Sequence, residues 1–438
     1  MRYIGNKTRL LPFIASALDR LEVPRAGRAL DAFAGTAAVG AFLKARGATV
    51  VGCDLMTFSY VFQRAYVVAD RYPRFAGLRT DAGLQAARQH PEFAARVAHR
   101  AAERAEPRPP APLTHALDEV LVYLDHYLDP LTSFIARHFA MRHAPDESDP
   151  PRPPARAADD PMTAAVTHRA PRMTAAGGMA LSPSAVAAPR MYFTLDAARR
   201  IDAIRSQLHA WRMAAAITDD EYYILLAALL EAADAVANTA GIYAAYIKRW
   251  QSNALRTLRL RPPSFAAAVS PRVAGAARRA RCEARQGDVS ALAPTLGRFD
   301  LLYLDPPYNT RQYSGYYHIP ELIARGWFDE PPILRGKTGL LAGAQKSAWS
   351  TRSGCIAALD RLLADTDAGQ VVMSYNSEGI IPEAEIVRLF RDHGRPATYR
   401  RITRTYQRYR SDRPSATRHY KSDTVREHLY CVRLKNSE

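Results

Sequence analysis

Residues 28–54 run strand, glycine turn, helix, strand, acid, and few folds accept that order. Residues 28–33 read as a short buried strand and Ala34-Gly35-Thr36 as a tight turn. Residues 38–46 read as a helix closed by Gly47, and residues 48–53 as a second strand ending at Asp54. This is half of a doubly wound α/β sheet, where parallel strands alternate with helices and ligands sit beyond the strands' carboxyl ends. A helix over residues 7–21 precedes it, with Leu10, Leu11, Ile14, Leu18 and Leu21 on one face.

The other half of the sheet is expected at the far end of the chain. Residues 299–304, 370–375 and 428–434 read as strands, with helices near 353–364 and 383–391 between them. The expected units are therefore residues 1–70 and 281–438 as two parts of one core, separated by an insertion. Within the insertion, residues 71–142 and 191–280 are expected to be mainly helical. Helical spacing runs over 116–141 and 195–250, and Thr218-Asp219-Asp220-Glu221 has the capping-box pattern ahead of an apolar run. Residues 143–190 are rich in Pro, Ala, Arg, Asp and Met with almost no large aliphatics, which predicts a disordered loop.

Asp305-Pro306-Pro307-Tyr308 leaves the end of the strand at 299–304. A carboxylate, carbonyls freed from pairing by proline, and an aromatic ring are what a flat, amino-bearing heterocycle needs around it. The alternative is a rigid turn. Upstream, the turn carrying Asp31, Phe33, Gly35 and Thr36 lets a ligand approach the backbone closely. It is neither a dinucleotide fingerprint, since Ala37 stands where the second glycine would fall, nor a P-loop. Asp54 suits ribose hydroxyls, so a nucleoside cofactor without phosphates, S-adenosylmethionine, fits this half. Asp288 is a candidate for the adenine amine, or else a helix cap. Tyr3 offers an aromatic face and Lys7 a cation for the cofactor's carboxylate, or both belong to an ordinary helix start.

The chain has 438 residues, with 60 Lys and Arg against 43 Asp and Glu, a net charge of +17. That excess points to a polyanionic partner, although a basic soluble enzyme would show it too. Lys248 and Arg249 close the segment 238–250, where they suit phosphates or simply end a buried helical hairpin. Residues 399–426 interleave arginines with tyrosines, among them Tyr406, Arg408 and Arg410, and are a candidate nucleic-acid surface. The apolar stretch at 222–247 is interrupted by Glu231 and Asp234 and reads as buried helix rather than membrane span. Cys53, Cys282, Cys355 and Cys431 lack the spacing of a disulfide framework or a zinc site, and the N-terminus lacks the apolar run of a signal peptide. A cytoplasmic protein without membrane attachment or bound metal is expected.

Together these elements resemble the Dam-like, alpha-ordered class of adenine-specific DNA methyltransferases of restriction–modification type. The resemblance rests on Tyr3-Ile4-Gly5-Asn6-Lys7 for a Tyr-x-Gly-Ser-Lys element, Phe33-Ala34-Gly35 for a Phe-x-Gly turn, the long insertion, and Asp305 to Tyr308. The stretches 308–313, with Arg311, and 374–379 are also similar to such enzymes. Two departures are Asn6 for serine and Ala37 for the second glycine. The resemblance implies a Rossmann-like, doubly wound S-adenosylmethionine-dependent methyltransferase sheet interrupted by a mainly helical target-recognition insertion. It further implies methylation of N6 of an adenine flipped out of double-stranded DNA, with Asp305, Pro306, Pro307 and Tyr308 catalytic, and a restriction endonuclease acting on the same site. Arg311 then joins Lys248, Arg249, Tyr406, Arg408 and Arg410 as a candidate DNA contact. Methylation of RNA adenine or another amino group, and a silent nucleic-acid-binding homologue, stay open.

Overall fold

The computed structural model describes residues 1–3, 5–70, 73–103, 113–142, 190–261, 281–407 and 424–435. Seven strands form the central sheet: β1 (Arg28–Asp31), β2 (Thr49–Asp54), β3 (Glu283–Gln286), β4 (Phe299–Leu304), β5 (Ala368–Asn376), β6 (Arg400–Gln407) and β7 (Thr424–Arg433). Their spatial order is β3-β2-β1-β4-β5-β7-β6. The first five are parallel, and β7 runs antiparallel to both β5 and β6. The chain starts mid-sheet, winds outward to β3, and returns across β1 to β4. That reversal creates a crevice at the carboxyl ends of β1 and β4, the place where such sheets bind ligands. Asp31 pairs in register with Tyr303, so the turn after β1 and the loop after β4 emerge side by side.

The local chemistry explains the elements. In β4 every residue but Asp300 is buried, the continuous apolar run of a strand covered on both faces. The helix expected from residue 7 starts later: residues 8–10 form a 3₁₀ turn, and α1 (Leu11–Arg20) begins with Pro12 in its first turn, where a missing N–H does no harm. Helix α2 (Ala38–Ala45) follows β1, and α3 (Thr57–Gln63) follows β2.

In the insertion, α4 (Leu113–His126), α5 (Leu195–Met213) and α6 (Asp219–Ala235) are the long helices. The capping box at the start of α6 is present. The Glu221 amide donates to the Thr218 hydroxyl at 3.3 Å, and Glu221 Oε2 accepts the Thr218 amide at 2.9 Å. Helical spacing across 195–250 does not continue as helix beyond Ala235. Instead Asn238 ties a loop together, donating to the carbonyls of Met191 (3.0 Å) and Ile247 (2.8 Å) and accepting the Gln251 amide (3.1 Å). Helix α6 is buried over most of its length and packs on α3, which joins the insertion to the core. Among the described residues no helix is long and apolar enough to cross a membrane. The loop expected at 143–190 lies outside the described residues, except for Arg190 at its end.

Candidate active site

Asp305 leaves β4 into a cluster drawn from four parts of the chain. Lys7 Nζ lies 3.1 Å from Asp305 Oδ1 and 2.8 Å from Glu427 Oε1 on β7. The Lys7 ammonium also donates to the Tyr308 hydroxyl, which donates to Asp305 Oδ1. Glu427 Oε1 accepts the hydroxyl of Ser374 on β5 at 2.5 Å. Burial pushes the Asp305 carboxyl up to about 6; Lys7 opposes that shift and Glu427 adds to it. The acid is thus not the ordinary carboxylate its sequence context suggests, but it is ionised at neutral pH.

The two proline carbonyls differ in their surroundings, and Pro306 is buried without lining the cavity described below. Among the described residues no protein donor meets the Pro306 carbonyl. The Pro307 carbonyl accepts the Tyr375 hydroxyl at 3.2 Å, and that hydroxyl accepts the Ile381 amide at 3.1 Å, which pins the loop. The Tyr308 ring sits 5.2 Å from that of Tyr375, with Lys7 Nζ 4.8 Å from its centroid.

The other half of the site is the turn after β1. Gly35 is left-handed (φ 51°), its amide donates to Asp54 Oδ2 at 2.9 Å, and a Cβ there would lie 2.9 Å from the Tyr3 ring. Asp54 Oδ1 accepts the Met56 amide at 2.9 Å, and burial raises the Asp54 pKa against these two bonds. Ala37 is also left-handed (φ 61°), a conformation costing a non-glycine residue about 1 kcal/mol. Asp288 caps a short helix by accepting the Ser290 amide at 2.9 Å, and it also lines the cavity described next.

One concave cavity, open to solvent, joins the two halves. Tyr3, Phe33, Asp54, Asp288, Asp305, Pro307 and Tyr308 line it, with Trp349 and Gln312. Among the described residues three carboxylates and no lysine or arginine face this space. Such a wall attracts a cation and offers hydroxyls and amines their acceptors, whereas a phosphate would meet repulsion without a counter-charge. The residues fit a nucleoside carrying a sulfonium better than a nucleotide.

Other expected residues fall elsewhere. Lys7 directs its three ammonium donors at Asp305, Glu427 and Tyr308, so none is left for a cofactor carboxylate. Asp31 is buried at the end of β1 without lining the cavity. Burial, then Asp305 and Asp54, push it up to about 8, so it is neutral at pH 7, and its Oδ2 has no hydrogen-bond partner among the described residues. Thr36 accepts from the Asn6 amide group at 3.2 Å and does not line the cavity. Lys248 and Arg249 are exposed on the loop after α6, and Arg311 is exposed just past Tyr308. Tyr406 lies on β6, separated from β5 by β7, and Arg408 and Arg410 lie outside the described residues. Glu427 and Ser374 were not singled out as site residues. The available signal was an acid between Val425 and Leu429, on the inward face of an alternating strand.

The profile of the D12 class N6 adenine-specific DNA methyltransferase family matches residues 3–97 and 184–341. The chain is similar to the type II methyltransferase M.NlaIII of Neisseria lactamica, 34% identical over 243 residues, or 56% of this chain and 67% of that protein. It is 29% identical to the type II methyltransferase M.FokI of Planomicrobium okeanokoites over 94% of this chain and 50% of that one. It is 26% identical to the modification methylase LlaI of Lactococcus lactis subsp. lactis over 95% and 52%. The chain thus spans about two thirds of the Neisseria relative and about half the length of the other two. No solved structure matches it. With the family profile covering more than half the sequence, on both sides of the crevice between β1 and β4, the chain belongs to the D12 class of N6 adenine-specific DNA methyltransferases.

Proposed function

We propose that this protein transfers a methyl group from S-adenosylmethionine to the N6 amine of an adenine flipped out of double-stranded DNA. One observation carries this reading: the Asp305–Tyr308 loop and the acidic wall that carries Asp54 and Asp288 border a single cavity. S-adenosylmethionine, when bound, supplies an electrophilic methyl group on a cationic sulfur. Asp54 and Asp288 are the residues that would hold its hydroxyls and amine, while Tyr3 and Phe33 offer ring faces.

The adenine amine is a poor nucleophile because its lone pair is delocalised into the ring. Asp305 and the Pro306 carbonyl accept its two N–H bonds and localise that lone pair toward the donor. Both acceptors sit on a loop pinned by Tyr375, so little reorganisation is needed during transfer. The amine proton leaves once nitrogen becomes cationic. An adenine within a duplex cannot reach this cavity and must be extruded, at a cost of about a few kcal/mol. Stacking on Tyr308 offsets roughly 1–3 kcal/mol of that. Exposed Lys248, Arg249 and Arg311 are the described cations proposed to meet the DNA backbone. A restriction endonuclease acting on the same site is the partner this reading implies.

Long-read modification mapping in a host expressing the chain tests the proposal. N6-methyladenine in one sequence context, absent with Asp305→Ala, is the expected outcome. Modified cytosine, modification confined to RNA, or none at all contradicts it.

A further inference from the structure

Lys7 and Glu427 form a buried charge pair that the reaction described above does not use. Lys7 is 4% exposed and Glu427 1%, and neither lines the cavity. The Lys7 ammonium spends its three hydrogens on Asp305 Oδ1, Glu427 Oε1 and the Tyr308 hydroxyl. Glu427 Oε1 also takes the Ser374 hydroxyl, while its Oε2 has no partner among the described residues. Two carboxyl groups and one ammonium at this depth stabilise a fold poorly: desolvating each ion costs several kcal/mol, and apolar side chains of similar volume would pack as well. The geometry instead serves Asp305. Both of its protein donors, Lys7 and Tyr308, fall on Oδ1, and among the described residues none engages Oδ2.

We propose that Lys7 and Glu427 are positioning residues for Asp305. Lys7 grips Oδ1 from behind the cavity, leaving Oδ2 for the substrate amine, and Glu427 anchors Lys7 in that place. This rests on the reading of Asp305 as the amine's acceptor.

Several further groups surround Asp305: Tyr303 on β4, Asp31 and Asp54 at the ends of β1 and β2, and Tyr3, Tyr308 and Tyr313. Burial raises all four phenols, so they are neutral throughout the useful pH range, and Asp31 is neutral below about 8. The charges with opposite effects on the Asp305 carboxyl are those of Lys7 and Glu427.

The test is the pH dependence of kcat, at saturating cofactor and duplex DNA, for wild type, K7M, K7R, E427Q and K7M/E427Q. A second arm follows the Asp305 carboxyl by carbon-13 NMR in the protein alone, assigned with D305N. K7M should move the acid limb up by about 1–3 pH units and E427Q down by about 1 unit. K7R should leave the limb near wild type, and the double variant should fall between the single ones. The NMR titration should shift in the same directions. A merely structural role would lower stability and rate without moving the limb. Limbs that coincide, or that shift the same way in K7M and E427Q, overturn the proposal. If K7M does not fold, E427Q and K7R decide it. If the wild type methylates no adenine, the functional reading fails, while the NMR arm still judges the positioning of Asp305.

Discussion

The Gly35 amide donates to Asp54 Oδ2 at 2.9 Å, which makes the turn after β1 and the end of β2 one wall of the cavity. Asp54→Ala removes the acceptor of both the Gly35 and Met56 amides and one of the three carboxylates lining the cavity. Hydrogen bonds to a charged group contribute about 1.5–3 kcal/mol each. The variant should therefore bind S-adenosylmethionine at least about 10-fold more weakly by titration calorimetry. Unaltered affinity would place the cofactor elsewhere.

Asp305→Asn keeps the shape of the side chain but turns a charged acceptor into a weaker, neutral one. Its kcat should fall by at least about 100-fold, with cofactor and DNA affinities preserved. A variant that binds both ligands and turns over at the wild-type rate would remove Asp305 from the chemistry.

The pH dependence of the wild type follows from the raised Asp305 carboxyl. Transfer requires the ionised form, so kcat should rise as pH passes upward through about 6 and level off above it. An ordinary carboxylate would place that rise near 4. A profile flat from pH 5 to 8 speaks against the buried setting of Asp305.

Asp31 gives a stability counterpart. Its folded pKa of about 8 lies above the unfolded value near 4, so the folded state holds the extra proton between those limits. Its contribution to stability is fully present below about pH 4 and is lost progressively up to about pH 8. Asp31→Asn lacks this titration. The Tm difference between variant and wild type should grow in favour of the variant from pH 4 to 8 and then stop growing. A difference that stays constant across that window would mean Asp31 is already ionised.

Lys248 and Arg249 are exposed on a loop braced by Asn238. If both contact phosphates, K248A/R249A should weaken binding to any duplex alike. The slope of log K against log salt should fall by about 0.9 per lost contact. Fluorescence anisotropy at several salt concentrations reads this directly, and an unchanged slope excludes these side chains from the backbone contact.

The strands that line the crevice were legible because they are covered on both faces. Residues 299–304 are apolar apart from Asp300, and β4 spans the same residues. The edge strands were not. Glu283–Gln286 is half exposed, and Arg400–Gln407 carries arginines that keep an open edge from pairing with another chain, so both read as polar segments. The arginines of β6 thus have a structural use beside the nucleic-acid role expected of them. The halves of the cavity were readable as local motifs because each is a strand end followed by a turn. The Lys7–Glu427 contact was not, since it joins positions 420 residues apart through the β5–β7 pairing, which no local pattern encodes.

The most direct test is chemical identification of the product. Purified protein should be incubated with S-adenosylmethionine labelled on its methyl group and with duplex DNA, then the DNA digested to nucleosides and separated. All of the label should elute as N6-methyldeoxyadenosine with wild type, and none should with Asp305→Ala. Label on cytosine, or no label in duplex DNA from a folded, cofactor-binding preparation, would contradict the proposed placement of the adenine amine against Asp305 and the Pro306 carbonyl.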